Sequence, residues 1–104
     1  MMKTYEIPLN SFAEEFNVEI QGVNYLLRTK WKEPLQAWTL DIGRSENDWL
    51  IRNLALVAGE NLLQQYEHLK LGFGLIVVTD GDEKADPTET NLGIDSHLIV
   101  VTSD

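Results

Sequence analysis

The stretch Leu71-Gly72-Phe73-Gly74-Leu75-Ile76-Val77-Val78-Thr79-Asp80-Gly81-Asp82 and its continuation, Asn91-Leu92-Gly93-Ile94-Asp95-Ser96-His97-Leu98-Ile99-Val100-Val101-Thr102-Ser103-Asp104, decide the fold. Two near-identical apolar runs, Leu75-Ile76-Val77-Val78-Thr79 and Leu98-Ile99-Val100-Val101-Thr102, bracket a polar connection. Each is too short for a free-standing helix and rich in β-branched side chains, so each reads as a buried strand. Residues 80–90 between them are acidic and turn-rich, with Pro87 inside.

Working outward, the same logic fills the N-terminal half. Tyr5-Glu6-Ile7-Pro8-Leu9 reads as a short first strand, and Pro8, which cannot donate to a ladder, puts it at an edge or breaks it there. Phe16, Val18 and Ile20 alternate with Asn17, Glu19 and Gln21, the pattern of a half-buried strand. Gln21-Gly22 supplies a hairpin turn, and residues 23–32 run back with Val23, Tyr25, Leu27 and Trp31 inward and Arg28, Lys30 and Lys32 outward. After a turn at Pro34, residues 37–42 form a fourth strand with Trp38, Leu40 and Ile42 inward. Residues 43–48 read as a polar turn, then strand pieces follow over 49–51 and 54–57. Leu62, Leu63, Tyr66 and Leu69 share a helical face, which predicts one short helix over residues 60–69.

The expectation is a mainly β protein: a small antiparallel barrel or sandwich of six to seven strands with one short helix, a single domain over residues 1–104. Trp31, Trp38 and Trp49 are expected to give the first sheet much of its bulk.

With 104 residues the chain can bury one core, and the absence of cysteine excludes disulfides and thiolate chemistry. A formal charge of −9 disfavours nucleic-acid phosphates and anionic membranes and suits either solubility or a basic partner surface. No apolar run approaches the roughly 20 residues needed to span a bilayer, and the first residues lack the apolar core of a signal peptide. A cytosolic origin is expected.

Chemical motifs are weak. Asp80-Gly81-Asp82-Glu83-Lys84-Ala85-Asp86 gathers carboxylates without the alternate-ligand spacing of a calcium loop, and reads as a mobile, solvated acidic turn with docking as the alternative. Gly72-Phe73-Gly74 lacks the third glycine, long helix and basic residue of a phosphate loop. Asp95-Ser96-His97 places three triad residue types in a row, but neighbours on a strand point to opposite faces. His68 stands near the end of the expected helix, apart from His97. The expectation is a non-enzyme with no catalytic, cofactor-binding or metal-binding residue.

An ordered set of phrases resembles the baseplate plug family of contractile-tailed bacteriophages. Glu6-Ile7-Pro8-Leu9 is similar to its opening strand. Gln21-Gly22-Val23-Asn24-Tyr25-Leu26-Leu27-Arg28, Trp31 and Trp38-Thr39-Leu40-Asp41-Ile42 resemble its central hairpin. Leu56-Val57-Ala58-Gly59-Glu60-Asn61-Leu62-Leu63-Gln64-Gln65-Tyr66 resembles the approach to its helix. His68-Leu69-Lys70-Leu71-Gly72, Val78-Thr79-Asp80-Gly81-Asp82, Asn91-Leu92-Gly93 and His97-Leu98 complete the series. Asp48-Trp49-Leu50-Ile51-Arg52-Asn53 departs from it, being more polar than the family's apolar run there.

The resemblance implies a virion structural protein at the centre of the tail baseplate, held in the host cytoplasm during assembly. Its implied role is to plug the hub and tail tube and take part in assembly, with hub and neighbouring tail proteins as partners and homo-oligomerisation open. A small non-enzymatic ligand-binding or regulatory module is the alternative. Unpaired edges invite strand addition, which makes residues 5–9 and 97–102 the expected docking places.

Overall fold

The computed structural model describes residues 2–82 and 84–103. Seven strands appear in order: β1 (Met2–Ile7), β2 (Glu14–Ile20), β3 (Val23–Lys32), β4 (Ala37–Ser45), β5 (Asp48–Ala55), β6 (Phe73–Thr79) and β7 (Ser96–Ser103). They form two antiparallel sheets, one of three strands in the order β1-β7-β6 and one of four in the order β2-β3-β4-β5. No ladder joins the sheets among the described residues, so the arrangement is sandwich-like and the barrel alternative is set aside.

The two similar runs lie side by side. Leu75 faces Val100, Ile76 faces Ile99 and Val77 faces Leu98, while Tyr5 of β1 faces Val100 from the other side. β7 is therefore the central strand of its sheet, not the edge expected of residues 97–102. Its period-2 alternation sends Leu98 and Val100 inward. There they meet Leu75, Val77 and Ile7, and, from the other sheet, Ile20, Tyr25, Leu27, Trp38, Leu40, Ile42, Ile51 and Leu54. Burying aliphatic side chains of this kind contributes about 1.5–3 kcal/mol each, and this shared layer holds the sheets together.

The four-stranded sheet comes from consecutive hairpins, as the alternation in β2 and β3 predicts. Two details differ. β4 continues to Ser45, and β5 is one irregular strand rather than two pieces, with register shifts against β4. Arg52 and Asn53 lie between the paired residues Ile51 and Leu54, opposite Asp41 alone. Asn53 takes the left-handed conformation (φ 59°), the mark of a bulge. Of the tryptophans, Trp38 is fully buried in the core, whereas Trp31 and Trp49 are half-buried.

The expected helix over residues 60–69 forms only as a 3-10 segment, Gln64–Leu69, interrupted at Tyr66. The backbone before it has other work. Leu62 N–H donates to the Leu75 carbonyl at 2.8 Å, and Asn61 Oδ1 accepts from the N–H groups of Leu63 and Leu75, both at 3.1 Å. Residues 61–63 thus cap the outer edge of β6 and cannot open an α-helix. The adjacent Leu62 and Leu63 are both buried beneath that cap.

Candidate functional site

Alternation along β6 and β7 leaves a second set of apolar side chains on the outer face of the three-stranded sheet. Ile76, Val78, Ile99 and Val101 are half-buried there, with Gly74 beside them. At one end of this face the surface dips into an open groove of about 420 Å³, lined chiefly by Leu63, Tyr66, Leu71, Phe73, Ile76 and Val101.

At the other end stands His97. Its Nδ1 lies 2.8 Å from Glu6 Oε2 on β1, and its Nε2 lies 3.1 Å from Asp80 Oδ2 just beyond β6. One imidazole therefore ties all three strands together on the outer face. Hydrogen bonding to Glu6, then to Asp80, pushes the His97 pKa up from its ordinary value, because both carboxylates favour the imidazolium. Glu6 and Asp80 keep 44% and 69% of their side-chain surface exposed, so this end of the face stays open to an approaching molecule.

Several described residues of the acidic loop are hydrogen-bonded to the body of the fold. Trp38 Nε1 donates to the Thr88 carbonyl at 2.8 Å, Asp86 Oδ1 accepts from Ala58 N–H at 2.8 Å, and Thr79 Oγ1 donates to the Ala85 carbonyl at 2.7 Å. Pro87 and Leu92 are buried, and the Asn91 carbonyl collects the N–H groups of Ile94, Asp95 and Ser96. The loop presents Asp80, Asp82, Asp86 and Glu89 from a fixed base.

A second polar node lies on the outer face of the four-stranded sheet. Asp41 Oδ2 accepts from Arg28 Nε and Nη2 at 3.0 and 2.8 Å, while Asp41 Oδ1 accepts from Asn53 N–H at 2.7 Å. The Trp49 ring lies 4.5 Å from the Arg28 guanidinium carbon. Gly43 makes room for it: a Cβ there would come within 2.8 Å of the indole. This node shapes the sheet, since Asp41 holds the β5 bulge and the indole screens the pair from water.

The remaining motifs do not assemble into reacting groups. Ser96 points inward, its Oγ 2.7 Å from Thr79 Oγ1 in the core, while its neighbour His97 points out, so the two do not meet. His68 is exposed, 6.4 Å from the Tyr66 ring. Among the described residues no group of three or more His, Asp or Glu side chains is arranged to hold a metal ion. Gly72 (φ 85°) turns the chain into β6. Sequence reasoning missed both the Glu6–His97–Asp80 bridge and the Arg28–Asp41 node, because each depends on strand partners that local alternation does not name.

What the molecule offers is surface: an apolar sheet face, an acidic rim and a hydrogen-bonded acidic loop. Over residues 4–103 the sequence matches the family described as cyanophage baseplate Pam3 plug gp18. The chain belongs to this family. Membership gives it a structural role in a phage tail baseplate, alongside other baseplate and tail proteins, and agrees with the resemblance carried by the phrases above. The match spans both sheets and the fastened loop. Among curated proteins no match is found.

Proposed function

We propose that the chain docks onto the central hub of a phage baseplate, closes the tail tube there, and is taken from the host cytoplasm into the baseplate as it assembles. The family match over residues 4–103 carries this reading. The physical features support it: a closed apolar core, rigid connections and exposed interaction surface suit a part that must hold shape under load. The acidity of the chain, −9, favours partner surfaces of basic character.

Deleting the gene from a phage that carries it is the direct test. Absent, unplugged or unstable tails are expected, and normal infectious tails would refute the reading. The alternative role, a small-ligand module, has one feature in its favour, the open groove beside Tyr66 and Phe73. It predicts that tails form normally without the chain.

A further inference from the structure

The four sheet edges of the sandwich are not equally defended. Edge strands expose unpaired main-chain groups and are normally blunted by charge, bulges or covering segments. β6 is covered by Asn61 and Leu62. β5 is bulged at Asn53, and β2 carries three glutamates in seven residues. β1 carries Lys3 and Glu6, but the Glu6 carboxylate is drawn onto the sheet's outer face by His97, and no bulge or covering segment guards this edge among the described residues.

Which β1 groups are free follows from the ladder. The N–H and carbonyl of Leu75 point away from β7, toward Asn61 and Leu62. Antiparallel pairs alternate between bonded and non-bonded, so Val100 turns its main-chain groups toward Tyr5. Tyr5 therefore bonds to β7, and the N–H and carbonyl groups of Thr4 and Glu6 point outward. No described residue hydrogen-bonds to them. Tyr5 is 39% exposed beside this edge, and Pro8 ends it.

We propose that β1 accepts a short, basic, extended segment of another tail protein as a fourth strand, giving the order β6-β7-β1-partner. Main-chain bonds to Thr4 and Glu6 supply the affinity, as in other strand additions. Charge selects the occupant: a second copy would set −9 against −9, whereas lysine or arginine side chains on the added strand would meet Glu6 on β1. The proposal rests on the chain being a baseplate component.

The test compares Thr4→Pro with Thr4→Val in phage tails. Proline removes an outward N–H that β7 does not use; valine keeps it. Thr4→Pro is expected to melt like wild type yet fall more than about tenfold in purified tails, with Thr4→Val retained. Wild-type levels of Thr4→Pro in tails would overturn the proposal. Should Thr4→Pro fail to fold, amide exchange of the wild-type chain decides: the Thr4 and Glu6 amides should slow more than about tenfold between free chain and tails, and unchanged rates overturn it. A photo-cross-linker at position 4 should capture a lysine- or arginine-rich segment. Capture of an acidic segment or of a second copy would overturn the choice of partner. Wild-type chain missing from tails altogether would instead remove the baseplate reading itself.

Discussion

Trp38 and Thr88, fifty positions apart in sequence, are joined by a 2.8 Å hydrogen bond from the indole N–H to a main-chain carbonyl. The bond anchors the acidic loop to the most deeply buried aromatic ring of the core. Trp38→Phe removes the donor and some ring volume, and should cost about 1–3 kcal/mol. Limited proteolysis should show faster cleavage within residues 80–95, and unchanged cleavage would mean that the ties through Thr79 and Asp86, with buried Pro87 and Leu92, suffice to hold the loop.

Asp41 is the acceptor for a half-buried guanidinium and for the bulge amide of Asn53. Asp41→Ala leaves the Asn53 amide without its acceptor and the Arg28 guanidinium with only the 3.9 Å pair to Glu15, so a loss of about 2–4 kcal/mol is expected, somewhat below a fully buried pair because Arg28 retains solvent contact. Asp41→Asn keeps an oxygen for the Asn53 N–H and should lose less. Urea denaturation of the two variants measures the difference, and equal losses would mean that the Asn53 bond contributes nothing.

His97 sets a pH dependence whose sign is fixed. Its folded-state pKa is raised, chiefly by Glu6 and then Asp80. Protonation is thus favoured by folding, and the contribution is complete below the ordinary imidazole value of about 6.5. It is lost as pH rises through the higher folded-state value. Urea midpoints measured across that window should fall in the wild type and fall less in His97→Ala. Parallel profiles would place the dependence elsewhere.

Asn61 caps an edge with one oxygen. Asn61→Ala leaves the Leu63 and Leu75 N–H groups without that acceptor, at a cost of about 1–3 kcal/mol. It also uncovers part of β6, so light scattering should rise with concentration more steeply than for the wild type. Scattering that stays flat would show that the Leu62–Leu75 bond suffices to guard the edge.

Much of the fold was legible because alternation reports burial directly. β2 and β3 follow from Phe16, Val18, Ile20, Tyr25 and Leu27 alone, and the paired runs at 75–79 and 98–102 announced β6 and β7. The helix over 60–69 was misjudged because Leu62, Leu63, Tyr66 and Leu69 have helical spacing. The backbone that would start the helix is captured instead by a strand edge distant in sequence. β5 looked broken because its bulge places Arg52 and Asn53 against a single Asp41. The interaction surface was least visible: nothing local shows that Glu6 and His97 face each other across 91 positions, or that β7 is central and β1 the edge.

The pairing of β1 with β7, from Met2 opposite Ser103 to Ile7 opposite Leu98, also dictates an order of events during translation. The hairpins of β2, β3, β4 and β5 are complete once residue 55 has left the ribosome, so half of the sandwich can form on the nascent chain. The other half must wait for residues 96–103, because β7 is the only strand that touches both β1 and β6. Until then β6 lies unpaired on the β7 side, with its apolar residues exposed, and β1 waits for β7. Slow synthesis over residues 96–103 would lengthen that exposed interval, making those codons the ones on which the yield of folded chain depends.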